Sequence, residues 1–521
     1  MKPFFSAHSG TARSPHSKML TNATFLTAIS IAERGLGFLY RIVLSRLLGA
    51  EGVGLYQVAI SLFHVFITVG TGGLPISLSR FISKQKAVGN LDGEKECVGA
   101  GVTLALLLTL PVSIVGIAFP SLFSVFFSDK RVVGVFRVLL LGLAFSAVYT
   151  VLRGSFWGNK RFLTAALLEV TEESVMVLAG VLLLRGVTSA ETGAITAAWA
   201  ITLSNLVAFV ATAVCFFVCG GRIGKPEKQL KPLFNATLPI TSVRVSNSLV
   251  SSAIAVLLPT MLVRAGATQA QALSIFGILS GMVVPFLFIP ATAIGSISLV
   301  LVPEVSGDYY AKNNERLRKN ITRGLQCAAL IALFLLPFFS SIGDDLAVLA
   351  FAEPLAGEYV RKGCVVLLPM SVSMLATSML NAMGKEKRTF TFFFIGAAAQ
   401  MLCILLLPGL VGGYAYVIGL GMAFLCNGIL ALIELGKICP TLYIKMLKPW
   451  GQSCVQCILK AFLTALPLSI SGDVCSAICM RFFSPLLAML ITGFVLLITT
   501  ALVWWALGLF RELLPQRRKT V

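Results

Sequence analysis

The sequence predicts an all-α polytopic membrane protein: about fourteen transmembrane helices in two pseudo-symmetric six-helix lobes, with two further helices at the C-terminal end. Three observations predict it. The 521 residues are 57% hydrophobic and only 12% charged, about half the roughly 25% of a water-soluble domain, which excludes a soluble multidomain enzyme and a disordered chain. Crossing a bilayer takes roughly 20 apolar residues per helix, and apolar runs of that length recur along the whole chain with short connections. The two halves of the chain also repeat each other's breaks and helix ends.

Taken in order, residues 1–18 are a Ser/His/Lys-containing tail without an apolar run, expected to be disordered and cytoplasmic. The first span, 19–48, runs on past Glu33 and Arg34 without a small-residue cleavage site, so it reads as a retained helix and not a signal peptide. Hydropathy and breaker residues place the next spans at 54–83, 97–127, 133–157, 162–184 and 193–219, which close an N-lobe over 19–219. A basic linker follows over 220–234. The C-lobe, 235–436, holds spans at 235–263, 270–307, 320–342, 359–384, 389–409 and 413–436. Two last spans, 449–471 and 483–510, lie in the segment 437–510, and a cytoplasmic tail covers 511–521.

Charge sorts by side. The tails and even-numbered loops hold 26 Lys and Arg, whereas the odd-numbered loops hold seven: Lys130, Arg131, Arg185, Arg264, Arg361, Lys362 and Arg481. Basic loops stay on the cytoplasmic side, so both termini are expected there, in the cell membrane, and an even number of spans follows. The net charge of +20 is spread among apolar spans and not gathered on a solvated face, so no nucleic-acid partner is expected. Most of the twelve Cys sit inside apolar spans as small hydrophobes. Neither Cys454/Cys457 nor Cys475/Cys479 has partner His residues for metal chemistry.

The repeat is legible in the breakers. Phe156-Trp157-Gly158-Asn159-Lys160-Arg161, ending the fourth span, resembles Ala382-Met383-Gly384-Lys385-Glu386-Lys387-Arg388, ending the tenth. Gly70, Gly72, Gly73 and Pro75 interrupt the second span; Gly281, Pro285, Pro290 and Gly295 interrupt the eighth. Broken helices at matching places in two halves point to a transporter's central site, although Gly and Pro are common in membrane helices generally.

Charges inside spans carry the functional reading. Each Arg at mid-bilayer costs at least ~2.5–3.5 kcal/mol. Arg80 lies near a span end, but Arg34 is about fifteen residues into the first span and Arg244 about nine into the seventh, the corresponding helix of the second lobe. Arg34, Arg41 and Ser45 fall on one helical stripe, and a stripe with two guanidiniums must face water or counter-charge. Arg34, Arg41, Ser45, Arg80 and Arg244 are therefore the candidate ligands of an anion, since guanidinium matches phosphate oxygens in a two-pronged fork. The acids Glu169, Glu172 and Glu173 share one turn of the fifth span, and with Glu33 form a candidate proton- or cation-coupling group. Pairing with Arg153 is the alternative for that cluster. Lys460 in the thirteenth span is left open between a lipid phosphate and a buried carbonyl.

At these residues the sequence resembles a known family. Arg34-Gly35-Leu36-Gly37-Phe38-Leu39-Tyr40-Arg41, then Leu44-Ser45-Arg46-Leu47-Leu48-Gly49-Ala50-Glu51-Gly52-Val53-Gly54-Leu55-Tyr56-Gln57, Gly72-Gly73-Leu74-Pro75-Ile76-Ser77-Leu78-Ser79-Arg80 and Leu301-Val302-Pro303-Glu304-Val305-Ser306 are similar to motifs of the stage V sporulation protein B type. Those are polysaccharide-type flippases of the multidrug/oligosaccharidyl-lipid/polysaccharide exporter superfamily, related to MurJ-type lipid II flippases. The resemblance covers roughly 20–510. It implies fourteen helices, alternating access between two lobes, and a lipid-linked saccharide of the undecaprenyl-pyrophosphate type as cargo. Arg34 matches a first-helix arginine of the MurJ type, and Arg41 is displaced by one position from a second. The paired arginines of the MurJ second helix have no counterpart in Phe66-Ile67-Thr68-Val69-Gly70-Thr71. That family's acidic sodium ligands in the seventh and tenth helices have no counterpart either, which leaves membrane potential or another cation to drive the cycle.

The leading reading is thus a flippase for a peptidoglycan-type precursor, without a cofactor and without enzyme chemistry. A multidrug cation antiporter of the same superfamily would need an acidic cavity. A membrane enzyme would need a general base or metal ligands near the headgroups, and the chain has only His8, His16 and His64, the last read as a helix-packing residue. A silent partner of a cell-wall complex fits duplicated lobes and broken helices less well.

Overall fold

The computed structural model describes residues 15–439 and 449–509. Of the expected tail 1–18, residues 1–14 lie outside the described residues, as do the segment 440–448 and the C-terminal tail, whereas residues 15–18 are the first turn of a helix. Among the described residues the chain is helical throughout, without strands. Helix α1 (Pro15–Thr71) carries the first two spans. No loop joins them: the helix bends at Gly49, whose φ of 66° and ψ of 177° suit glycine and few other residues. The second span breaks at Gly72-Gly73 and resumes as α2 (Leu74–Ala87), with Pro75 in its first turn. The N-lobe continues with α3 (Leu91–Ala118), α4 (Arg131–Gly158), α5 (Phe162–Leu183) and α6 (Ala190–Val218).

Helix α7 (Glu227–Arg264) starts earlier than the sequence suggested, so residues 227–234 of the expected linker are its first two turns. The remaining strap is tied down where the Gly224 N–H donates to the Lys95 carbonyl, 2.9 Å. The eighth span is broken, as its prolines required. It comprises α8 (Gln269–Gly277), a π-helical segment over Ile278–Val283, a single turn Val284–Leu287, and α9 (Ile289–Tyr310). Pro285 and Pro290 open its last two pieces. Then follow α10 (Asn314–Phe351), α11 (Pro354–Gly363), α12 (Leu367–Ala382), α13 (Glu386–Leu406), α14 (Tyr414–Ile438), α15 (Pro449–Phe482) and α16 (Pro485–Ala506). The thirteenth span therefore runs to residue 482, not 471, because Pro467 is accommodated inside α15.

Among the described residues, thirteen stretches are long and apolar enough to cross a membrane. That tally takes the bent rod Ile31–Ala87 as one and the broken eighth span as two, and omits α5 with its three carboxylates. Counted as crossings, these give the fourteen expected. The repeat is visible in the backbone as well. Helix α4 ends with the Arg161 N–H on the Phe156 carbonyl and Lys160 at φ 58°; α12 ends with the Lys385 N–H on the Leu380 carbonyl and Gly384 at φ 72°. Both are left-handed helix stops of one type.

The distribution of core residues shows how the lobes meet. One large buried cluster joins both lobes in the half of the molecule nearest the odd-numbered loops, from Tyr40, Leu55 and Phe136 to Leu258, Leu279 and Phe351. In the other half there are two separate clusters. One is built on Leu78, Val98, Leu152 and Leu168 of the N-lobe, the other on Val305, Ile321, Met379 and Leu435 of the C-lobe. Helix α9 packs chiefly on α10 and α12 and leaves Leu299, Val300 and Tyr310 exposed. The two lobes are thus fused at the odd-loop end and forked at the even-loop end.

The fusion is built from close backbone contact. A side chain on Gly54 would strike the Leu273 carbonyl, with the Leu273 C only 2.7 Å from its Cβ, and one on Gly277 would reach the Gly54 Cα at 2.9 Å. Hydrogen bonds cross the same seam. Ser128 Oγ lies 2.5 Å from Thr260 Oγ1, Gln269 donates to the Ser128 carbonyl, and Arg46 of α1 donates to the last-turn carbonyls of α10, Leu349 and Ala350.

Candidate cleft between the lobes

The site is the crotch of that fork. Two cavities meet there, sharing Thr68, Asn247 and Ser248 as a common wall. The larger, about 800 Å³, lies deeper between α1, α7, the broken eighth span, α13 and α14, and Arg41 projects into it. The smaller, about 470 Å³, is lined by Arg244, Arg153, Trp157 and Thr150 next to the Gly72 break. Each is within the range of a small-molecule site.

Local sequence explains the lining. Gln57, Ser61, His64 and Thr68 recur at i, i+4, i+7 and i+11 on the second arm of α1, one face of a helix, and all four face the deep cavity. Arg244, Asn247, Ser248 and Ser251 make the matching stripe on α7. The stripes touch where Thr68 Oγ1 and Ser248 Oγ lie 3.1 Å apart. Just beyond, the Gly73 N–H freed by the helix break donates to Thr241 Oγ1 at 2.9 Å, so the glycines let α7 lie against unwound backbone. From the C-lobe come Gln400, Asn427, Tyr416 and Phe424. Among the described residues no Asp or Glu lines either cavity. Among the described residues neither Arg41 nor Arg244 makes an ion pair.

The other expected ligands stand elsewhere. Arg34 remains exposed on α1 but lines neither cavity; it lies beside Glu33. Ser45, although on the Arg41 stripe, is buried where the lobes fuse, and its Oγ donates to the Ile42 carbonyl at 2.8 Å, which uses its hydrogen atom locally. Arg80 is exposed on α2 outside both cavities, and Lys460 is exposed on α15. His64 is not the helix-packing residue the sequence suggested: its ring faces the deep cavity. The sequence read Arg153 only as a partner for the acidic cluster and passed over Gln57, Asn247, Gln400 and Asn427; the two polar stripes were the signal that could have found Gln57 and Asn247.

The acidic group forms a layer behind the cleft. Arg153 Nη1 is 2.5 Å from Glu169 Oε1, which is the pairing weighed above. Glu33 on α1 lies within electrostatic reach of Glu169 and Arg153. Glu172 faces Tyr149. Glu173 presses on Gly37, whose Cβ would lie 2.8 Å from its Oε1, and interacts with Arg41.

A sequence model described as polysaccharide biosynthesis protein matches residues 19–307. The chain belongs to the polysaccharide biosynthesis protein family. Among curated proteins this family member is similar to stage V sporulation protein B of Bacillus subtilis (strain 168), 24% identical over 361 residues that cover 66% of this chain and 68% of that one. It is also similar to lipid II flippase MurJ of the same organism, 26% identical over 171 residues, 31% of each chain. Among solved structures the fold matches lipid II flippase MurJ in an inward closed conformation, with TM-score 0.69, 14% identity, and 93% and 99% of the two chains covered. It also matches an inward-facing multidrug resistance MATE family transporter of the MOP superfamily, with TM-score 0.67, 17% identity, and 79% and 96% covered. The family member thus has a MurJ/MATE-like transporter fold; of the proteins it resembles, MurJ is a lipid II flippase and the MATE protein a multidrug resistance transporter.

Proposed function

We propose that this protein flips a lipid-linked saccharide, a polyprenyl-pyrophosphate precursor of the cell wall of the lipid II kind, from the cytoplasmic to the outer leaflet of the cell membrane. One observation carries the reading: a cleft between two lobes that, among the described residues, presents Arg41 and Arg244 and no carboxylate. An ion taken from water into hydrocarbon meets a penalty of order 20 kcal/mol in the idealised limit, and a guanidinium fork lowers it by direct pairing with phosphate oxygens. Arg244 meets the pyrophosphate near the mouth, while the amides Gln57, Asn247, Gln400 and Asn427 hydrogen-bond the saccharide in the deeper chamber.

The charge bias puts the even-loop face, where the lobes fork, in the cytoplasm, with both termini. The cleft then receives its headgroup from the leaflet in which such precursors are made, and the polyprenyl tail stays in lipid. Release outward needs the Gly54–Gly277 seam to part and the fork to close. The carboxylate layer behind the cleft supplies the coupling to protons.

The test is binding to the full chain in detergent. Farnesyl-pyrophosphoryl-N-acetylglucosamine is expected to bind, and R244A to weaken it roughly ten- to 150-fold, from hydrogen bonds to charged groups worth about 1.5–3 kcal/mol. Tetraphenylphosphonium is expected not to compete. Tight binding of that cation with no binding of the pyrophosphate would instead favour an antiporter.

A further inference from the structure

One arginine serves both the cleft and the acidic layer. Arg153 lies about one and a half turns from the end of α4, lines the smaller cavity beside Arg244, and is ion-paired with Glu169 at 2.5 Å. Its guanidinium is held 5.4 Å from the ring centroids of both Tyr149 and Trp157, so its plane is set by packing and not by the carboxylate alone. Its Nε is buried without a hydrogen-bond partner among the described residues. A guanidinium has five N–H donors; Glu169 does not use them all.

We infer that Arg153 is a further cargo-binding residue, and that its transfer from Glu169 to the cargo's pyrophosphate couples loading to the uptake of one proton by the Glu33/Glu169/Glu172/Glu173 cluster. The inference rests on the anion reading of the cleft proposed above.

Charge at this level of the bilayer gives the reason. Helix α5 packs on α1, α4 and α6. From α1, Glu33 faces Glu169, with Arg34 beside it; from α4 come Arg153 and Tyr149; on α5 itself stand Glu172 and Glu173, the latter near Arg41. Helix α6 brings neither a carboxylate nor a base to this level, its Glu191 lying in the first turn at the opposite end. At this level four carboxylates face three guanidiniums. When a phosphate draws Arg153 away, four face two, and neighbouring like charges out of water do not all stay ionised. A proton entering through the cleft bonds to a carboxylate oxygen and removes the excess. Arg153 then pairs with a phosphate oxygen, and the reverse exchange frees both proton and cargo. A proton suits the geometry better than a metal ion, because among the described residues no three His, Cys, Asp or Glu side chains are placed to hold one.

Titration calorimetry on the full chain in detergent, run in two buffers of different ionisation heat, reads the exchange. The probes are farnesyl-pyrophosphoryl-N-acetylglucosamine and UDP-N-acetylglucosamine, pyrophosphate diesters without a proton to lose between about pH 5 and 8. We expect uptake of close to one proton per lipid-linked probe, and a Kd that weakens up to tenfold per pH unit on the alkaline side. E169Q should bind with uptake abolished and the pH profile flattened, and R153K should bind more weakly. Uptake with both probes supports the exchange at the shared pyrophosphate; uptake with the nucleotide sugar alone overturns it for lipid-linked cargo. Arg244-dependent binding without uptake in the wild type, undiminished uptake in E169Q, or sodium dependence in place of pH dependence overturns the inference and leaves the cleft reading standing. Failure of the wild type to bind either probe overturns both. The wild-type buffer comparison decides even where E169Q does not fold.

Discussion

The substitution Gly54→Ala tests whether the odd-loop seam holds the cleft open on the opposite face. Built onto the backbone, the new Cβ lies 2.7 Å from the Leu273 C and 3.3 Å from its Cα. Carbon atoms rest at about 3.5–4.0 Å, so α1 and α8 must separate by about 1 Å, and backbone atoms cannot rotate aside as a side chain does. Overpacking of this kind costs about 1–3 kcal/mol. The cost falls on the sealed state alone, because parted lobes relieve the collision. The equilibrium between sealed and parted seams should therefore shift roughly 5- to 150-fold. Spin labels on cysteines introduced at Val125 and Arg264, on either side of the seam, measure it by pulsed dipolar spectroscopy in nanodiscs. We expect G54A to gain a longer-distance population that the parent lacks. A folded G54A protein with the parent's distance distribution would refute the reasoning, since the seam would then not be the element that sets the state.

Two smaller perturbations follow from the same structure. Arg46→Ala removes donors from the last-turn carbonyls of α10, where a cation also complements the helix end. With Arg46 exposed the contribution is about 1 kcal/mol, so the same labels should report a parted population about fivefold larger. Asn90 caps α3 by accepting the Gly93 N–H at 2.9 Å. Asn90→Ala should lower stability by about 1 kcal/mol, read as an earlier midpoint in detergent unfolding, with the spin-label distances unchanged.

Much of the fold was legible because bilayer thickness fixes span length and glycine and proline mark the breaks. Charge hid α5 from a hydropathy count but not from the order of spans. Gly49 was harder to read: a loop and a bend require the same residue, and the bend shows only in a backbone that is helical on both sides of it. Arg41 and Arg244 were legible as misplaced charges, and they line the cleft. Arg34 and Ser45 show the limit of stripe reasoning. A helical stripe gives a direction at each residue but not what lies there, and along α1 the surroundings change from the acidic layer at Glu33, through the cleft at Arg41, to the fused core at Ser45. Arg153 was legible as a partner for the acidic cluster, which its pairing with Glu169 bears out at 2.5 Å, but not as a residue of the cleft wall, because its sequence position gives no sign of what its other side faces. His64, Gln57 and Thr68 were visible as a polar stripe but were outranked by the arginines.

The most direct measurement is translocation itself. In proteoliposomes containing a fluorescent polyprenyl-pyrophosphoryl disaccharide, the wild-type chain should move the lipid between leaflets, seen as loss of protection from a membrane-impermeant quencher. R41A and R244A should each slow it at least tenfold while still inserting and folding, and R34A should slow it less, since Arg34 lines neither cavity. Transport at the wild-type rate by the R41A/R244A double variant would contradict a phosphate-binding cleft at the centre of this molecule.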